Sequence, residues 1–357
     1  MKYKIHLILL VVISLLVSSC SDDPATPETE LRVRKNVKEL SAAEKQDYVD
    51  AVLKMKQTIS PYNASYNYYD QFVYWHLQAF KCENGAAHMG PAFLPWHRQF
   101  LLMYERALNE VSPGKNILVP YWDFTDPSST DVALADDFMG GWGDPTDNYA
   151  VTTGAFRKGQ WVNNILDPVE IAPIQFPFLT RAKGTYTKGG YPTAAEISYM
   201  LAISNYDVAP WNHRSDTATS FRNYLEGWRG HFDSADCVLG WMEPIMQADD
   251  DDTTLSSKMH NVVHLIIGGV WQDSIGGTIT AMTSPNDPLF FNLHANIDRL
   301  WAAWEALHPN NYEPTSGAMQ GQNRFDKMWP YSTIGQNITP DSMLTTNRQG
   351  YKYSTMP

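Results

Sequence analysis

The sequence is poor in cysteine and in positive charge. It has 3 cysteines in 357 residues, and its 27 Lys and Arg are outnumbered by 39 Asp and Glu, so the formal net charge is −12. A surface this acidic argues against nucleic acid as a partner, because Lys and Arg are needed to neutralise phosphates. Beyond the N-terminal segment only Cys82 and Cys237 remain. In an oxidising compartment they could pair, or they could act as separate thiols.

The apolar run at the N-terminus is too short to span a bilayer. It covers 13 residues, 5–17, behind Lys2 and Lys4, whereas a membrane-spanning helix needs about 20. A short run behind positive charges is typical of an export signal. The letters VSSC at residues 17–20 resemble the bacterial lipobox, which implies cleavage before Cys20 and lipidation of its sulfur. An ordinary secretory signal is the alternative.

These features divide the chain into three parts. We expect residues 1–19 to be a lipoprotein signal peptide and residues 20–35 to comprise the lipidated Cys20 and a polar tether. Residues 36–357 then form one folded domain. In this interpretation the protein is exported and lipid-anchored to a bacterial membrane, at its periplasmic face or at the cell surface.

Helical periodicity is concentrated in a few segments. Between the third and the fourth, residues 112–225 are rich in Gly, Pro, Asn, Thr and aromatics, which is typical of long loops with short irregular elements. We therefore predict a mainly α fold, in which a core bundle of four helices is wrapped by long irregular loops. The predicted helices cover residues 39–59, 69–80, 96–111, 258–267 and 287–307.

Most of the ten histidines fall in or beside these helices. His260 and His264, in the letters MHNVVH, are four residues apart, so both imidazoles lie on one helix face. A zinc peptidase would need Glu directly after the first of them, where Asn261 stands. His294 lies in the last helix and could complete a three-nitrogen site, which suits copper, zinc, iron or nickel. Asp298, one turn later, could orient a ligand or form an ordinary salt bridge.

A second set of histidines lies upstream. His88 and His97 are nine residues apart, and Pro91 and Pro95 stiffen the connection between them, so both rings can face one point. His76 lies on the preceding aromatic helix, where a histidine is also common as an ordinary core residue. The sequence thus offers two groups of three histidines.

Around these histidines the chain resembles the tyrosinase family, the type-3 copper proteins. The copper A motif matches at AHMGPAFLPWHRQFLLMYE, and the copper B motif at MHNVVH followed by SPNDPLFFNLHANIDRLW. The segments VPYWDF and FRNYLEGWRG also look like family elements, and the resemblance spans roughly residues 60–310. It implies two copper ions with O2 as co-substrate, one held by His76, His88 and His97 and the other by His260, His264 and His294.

The same resemblance implies a phenol-oxidising activity. Two coppers that cycle between +1 and +2 can supply two electrons to O2, so small phenolic substrates would be hydroxylated or oxidised to o-quinones. A catechol oxidase without monophenol activity is the nearest alternative, and an O2 carrier like hemocyanin is a more distant one. Because many relatives need a separate copper-delivery protein, a copper-delivery partner is also an expectation.

Four further residues match family positions around the copper B histidines. In the family, a Glu and an Asn hold a water that takes the phenol proton, and Glu226 and Asn261 match them. Phe290 matches an aromatic stacked over copper B, and Leu265 matches a residue lining the substrate entrance. However, 33 residues separate Glu226 from His260. We interpret residues 231–258 as an insertion; otherwise Asp251 or a neighbour substitutes, or the base is missing.

Overall fold

The computed structural model describes residues 30–80, 87–166, 175–186, 190–227, 259–271 and 274–357. The predicted signal peptide, Cys20 and the predicted insertion at 231–258 lie outside the described residues, as do Cys82 and Cys237. Residues Leu31–Pro357 form one compact unit. None of the described helices is long and apolar enough to cross a membrane.

A capping box sets the start of the first helix, α1 (Ala42–Gln57). The Ser41 side chain accepts a hydrogen bond from the backbone of Glu44, and the Glu44 carboxylate accepts one from the backbone of Ser41. This pairing satisfies N–H groups that have no partner inside the helix. Apolar side chains that recur at helical spacing in the predicted helix, among them Tyr48 and Val52, are buried. They face α2 (Tyr68–Phe80) and α3 (Phe93–Val111), against which α1 packs.

Three helices carry the histidine motifs. Helix α3 begins at Phe93, three residues earlier than predicted, because Pro95 is tolerated in a first turn whose N–H groups lack helical partners. The copper B motif supplies a short helix, His260–Gly268, and a long one, Leu289–Leu307. Asp287 caps the long helix by accepting from the Leu289 N–H at 3.0 Å. Helix α3 packs along this last helix.

The remaining elements are short, as the composition of residues 112–225 predicts. The described residues of that region contain three small helices, α4 to α6, so His260–Gly268 is α7 and Leu289–Leu307 is α8. In the part of the chain that the structure describes, six short strands form three two-stranded sheets. The helices are α4 (Pro127–Ala133), α5 (Ala194–Leu201) and α6 (Phe221–Glu226). The strand pairs are β1 (Arg32–Arg34) with β6 (Tyr351–Tyr353), β2 (Gly143–Asp144) with β3 (Ala150–Val151), and β4 (Val270–Trp271) with β5 (Ser274–Ile275). The mainly α prediction is therefore confirmed.

Asp298 belongs to a buried ion network and not to the histidines. Its carboxylate accepts from Arg98 Nε at 2.6 Å and from Arg34 Nη1 at 3.0 Å. The hydroxyls of Tyr351 and Tyr353 donate to the same carboxylate. Of the two roles considered for Asp298, the structure supports the salt bridge, which ties the β1–β6 sheet to α8.

Candidate metal centre

Three buried histidines from the upstream motif converge. His76 stands on α2, His88 in the connection to α3, and His97 in the first turns of α3. Their ligand atoms all lie within 4.8 Å of one another. His76 Nε2 and His88 Nε2 are only 3.1 Å apart. His97 Nε2 is buried and has no hydrogen-bond partner. The structure therefore brings the predicted first group together, including His76.

The downstream histidines form a second group of the same kind. His260 and His264 share one face of α7, and His294 reaches them from α8. Their ligand atoms also lie within 4.8 Å of one another. His260 Nε2 is 3.0 Å from His264 Nε2 and 3.2 Å from His294 Nε2. The i,i+4 spacing of the motif thus produces the expected pair on one helix face.

The two triads are neighbours. The rings of His97 and His294 stack with centroids 4.1 Å apart and an angle of 11° between their planes. His88 and His260 face each other across the same gap, with centroids 5.8 Å apart. The six imidazoles therefore surround one small space, as a dinuclear site requires.

The hydrogen bonds of the Nδ1 atoms indicate that the Nε2 atoms of these histidines can bind metal ions. In four histidines Nδ1 lies against an oxygen acceptor, which places the ring proton on Nδ1 and leaves a lone pair on Nε2. Lone pairs that converge at about 3 Å repel each other, so a cation between them resolves the arrangement. The four pairs are His76 with Met282 O (2.7 Å), His97 with Phe93 O (2.9 Å), His264 with Ile279 O (2.6 Å) and His260 with Asn261 Oδ1 (2.8 Å).

Burial keeps all six imidazoles neutral. It lowers the pKa of His76 to about 3 and that of His264 to about 4. In the other four, burial and the neighbouring imidazoles together hold the pKa well below its ordinary value. Neutral imidazole is the form that binds transition metals, so the donor set fits two copper ions.

Glu226 lies between the triads despite its distance from His260 along the chain. Its Oε1 accepts from the Met89 N–H at 2.6 Å and lies 3.3 Å from His88 Nδ1. Its Oε2 accepts from Arg222 at 3.0 Å. The backbone of Glu226 lies within hydrogen-bonding range of the His260 ring. The side chain is thus held beside the upstream triad, while its backbone approaches the downstream one.

The other predicted residues lie around the second triad. Asn261 accepts from His260, and its buried Nδ2 has no hydrogen-bond partner. The Phe290 ring packs on His294 at 4.1 Å between centroids and also approaches His76 at 4.9 Å. Phe290 is fully buried. Leu265 is 3% exposed, so it is covered rather than open to solvent.

Two residues near the site, one beside a triad histidine and one beside Glu226, were not identified from the sequence. Phe80 stacks on His88 with centroids 3.9 Å apart and an angle of 23°. Arg222, which fixes Glu226, is buried and also pairs with Asp207 at 2.7 Å. Their spacing in the sequence could have indicated them. Phe80 follows His76 by four residues, and Arg222 precedes Glu226 by four, so each pair shares a helix face.

Comparisons with known proteins agree with this geometry. The family described as the common central domain of tyrosinase matches residues 66–307. The chain is 36% identical to a tyrosinase from Streptomyces antibioticus, over 89% of this chain and 98% of that protein. It is also 36% identical to grixazone synthase from Streptomyces griseus, over the same shares of each chain.

A solved structure shares the fold. A variant of the polyphenol oxidase from Thermothelomyces thermophila superposes with a TM-score of 0.59 at 22% identity, covering 92% of this chain and 89% of that one. At that identity the likeness concerns the fold alone. By the family match, the sequence relatives and the paired histidine triads, this chain belongs to the tyrosinase family of copper-dependent phenol oxidases.

Proposed function

We propose that the chain uses O2 at its two histidine triads to hydroxylate monophenols and to oxidise o-diphenols to o-quinones. The observation that carries this proposal is the pair of buried triads whose Nε2 atoms converge on one space. We assign His76, His88 and His97 to one copper ion and His260, His264 and His294 to the other. When bound, the two ions supply the electrons for the reduction of O2. The protein's own groups hold the ions, exclude water and position the phenol.

Glu226 and Asn261 are proposed to handle the phenol proton. A phenol has a pKa near that of Tyr, about 10, so it needs an acceptor for its proton at neutral pH. Two observations support the assignment. The Glu226 carboxylate is buried within 3.3 Å of His88, and the unpaired Nδ2 of Asn261 can donate to a water or substrate oxygen beside His260. Together they would hold one water between carboxylate and amide.

Substitution of Glu226 tests this role. In copper-loaded protein, Glu226→Gln should reduce oxidation of a simple monophenol at least tenfold more than oxidation of the matching catechol. A catechol should depend less on this base, because its first hydroxyl is more acidic than that of the matching monophenol: the neighbouring hydroxyl stabilises the anion by a hydrogen bond. Both rates are divided by bound copper, since Glu226 also contacts His88. Equal losses per copper would contradict the assignment.

Side-by-side assay of the unaltered protein separates the proposal from its alternatives. Turnover of both a monophenol and a catechol supports the tyrosinase-type activity. Turnover of the catechol alone supports a catechol oxidase, and reversible O2 binding without turnover supports a carrier. The unpaired Nδ2 of Asn261 favours the first outcome, because it leaves a donor ready for the water that monophenol oxidation requires.

Export and lipid attachment at Cys20 form a separate proposal, supported by the sequence of residues 1–20. Fractionation of cells that express the full chain tests it: Cys20→Ala should release the protein from the membrane fraction. A copper-delivery partner is proposed because His76 is fully buried and His97 is 2% exposed. Purified protein that loads rapidly from free copper ions would make that partner unnecessary.

A further inference from the structure

His88 differs from the other two histidines of the upstream triad in how its ring is held. His76 and His97 stand on helices, and each places Nδ1 against a backbone carbonyl. His88 stands in the connection between α2 and α3, and its buried Nδ1 has no hydrogen-bond partner among the described residues, although Glu226 Oε1 is 3.3 Å away. Apart from stacking on Phe80, the ring therefore depends on the backbone of this connection for its position.

That backbone is held by side chains from distant parts of the chain. The Met89 N–H donates to Glu226 at 2.6 Å, and the Tyr206 hydroxyl donates to the Pro91 carbonyl at 2.5 Å. Met89 has a φ of 59°, a left-handed conformation that is unfavourable for a residue with a Cβ. Such a conformation persists where the surrounding structure holds it, so the connection beside His88 depends on these bonds.

Gln322 makes a third bond of this kind, from beyond residues 66–307 that the tyrosinase central domain matches. Its side chain is 4% exposed, and its Oε1 accepts from the N–H of Ala92, the N-cap of α3, at 2.7 Å. In a capping box that N–H is satisfied by a side chain three residues later. At α3 this position is Pro95, whose side chain has no acceptor. Gln322 therefore supplies the missing acceptor from a distant segment.

Gly90 leaves the space that this contact needs. A Cβ at position 90 would lie 2.6 Å from Gln322 Oε1 and 2.9 Å from Gln322 Nε2. Gly90 does not have a positive φ, so its backbone conformation is open to other residues. The close approach of the Gln322 amide therefore explains the glycine at this position.

We propose that Gln322 is a positioning residue for the upstream triad. Its amide ties the C-terminal segment to the start of α3, and so fixes the connection that carries His88 relative to the helix that carries His97. Loss of a group that orients a metal ligand commonly weakens metal binding by about 10- to 100-fold. Loss of this bond should weaken copper binding at the upstream triad alone. The inference rests on the proposed assignment of His88 and His97 to one copper ion.

Titration of the full chain with Cu(II), in competition with a chelator, tests the inference in two backgrounds. His260→Ala leaves only the upstream triad complete, and His97→Ala leaves only the downstream one. In the first background, Gln322→Ala should raise the dissociation constant for copper about tenfold. Gln322→Glu, which keeps an acceptor oxygen, should restore most of the affinity there. In the second background, Gln322→Ala should leave the affinity unchanged.

Gly90→Ala tests the same contact from its other side. The added methyl group would displace the end of the Gln322 side chain, so this variant should weaken copper binding at the upstream triad by a similar factor. Gln322→Ala leaves room for that methyl group. The effects of the two substitutions should therefore not add in the double variant. If Gln322→Ala does not fold, as judged by urea unfolding without copper, Gly90→Ala alone decides.

Gln336→Ala is the matched control. Gln336 also joins the C-terminal segment to α3, by accepting from Gln99 at 3.1 Å, but along the helix and not at its start. It should leave the affinity of the upstream triad unchanged. The inference is wrong if Gln322→Ala has no effect on the upstream triad, or if it weakens both triads equally, as a general loss of stability would. If adding His88→Ala to the His260→Ala protein does not reduce copper binding, the ligand assignment fails instead.

Discussion

The buried carboxylate of Asp298 should be among the strongest single determinants of stability in this fold. It lies one turn beyond His294 on α8 and binds Arg98 and Arg34. Burial alone would raise the pKa of Asp298, but the two guanidinium groups outweigh it and hold the pKa below its ordinary value. The carboxylate is therefore ionised at neutral pH. Asp298→Asn removes that charge while keeping the size of the side chain.

The stability lost in Asp298→Asn depends on which carboxylates Arg34 and Arg98 still contact. Removing one partner of a buried ion pair costs about 3–5 kcal/mol, because the other charge stays buried. Here Arg34 keeps Glu105 at 2.8 Å, and Arg98 keeps Glu305 at 2.9 Å. Neither arginine loses its last carboxylate, so we expect the lower end of the range, about 3 kcal/mol. The stabilisation is present above the unfolded pKa of about 4 and is lost as the pH falls through the lower folded pKa.

Urea unfolding of the copper-free protein measures this loss, with the 12 tryptophans as the fluorescent probe. With a slope of about 3 kcal/mol per molar urea, the midpoint should fall by about 1 M at pH 7. Asp341→Asn is the control, because its pair with Arg324 is 2.8 Å long but partly exposed and should be worth at most about 1 kcal/mol. If both variants shift the midpoint equally, the buried network does not stabilise the fold as argued.

Two further predictions concern the triads. His97→Ala and His260→Ala should each lower bound copper from about two ions per chain and abolish catechol oxidation, because three imidazoles hold each ion. His308→Ala, at the end of α8, should keep both; normal copper and turnover in the triad variants would overturn the ligand assignment. Phe290→Ala should lower the free energy of unfolding by about 3–5 kcal/mol and weaken copper retention, because the ring packs on His294. An unchanged thermal midpoint with full copper would contradict this.

The fold could be predicted where local sequence decides the structure. Tyr48 and Val52 recur at helical spacing, and both are buried in α1. The start of α3 could not be placed so closely, because Pro95 is compatible with several positions in a first turn. Asp298 shows a different limit. Its partners Arg34 and Tyr351 are separated from it by 264 and 53 residues, so no local pattern predicts them.

The same distinction holds at the metal centre. The spacing of His260 and His264 predicts that both lie on one helix face, whereas the Met282 carbonyl that binds His76 lies 206 residues further along the chain. Leu265 was expected to line the substrate entrance; its side chain is 3% exposed, and its place at an entrance stays a prediction. A motif identifies which residues stand near the metal. It does not show which side chains from intervening loops lie over them.

Both oxygens of the buried Glu226 carboxylate already accept hydrogen bonds. A base that acts only on the phenol would need a carboxylate whose oxygens are otherwise little engaged. Here one oxygen accepts from the Met89 N–H, and the other accepts from Arg222. Replacing the carboxylate by an amide therefore also changes the surroundings of His88 and the charge balance of Arg222. A loss of copper from Glu226→Gln would reveal the supporting role, and a loss of monophenol turnover at full copper would reveal the proton-handling role. Measuring bound copper and dividing the monophenol turnover rate by it distinguishes the two roles.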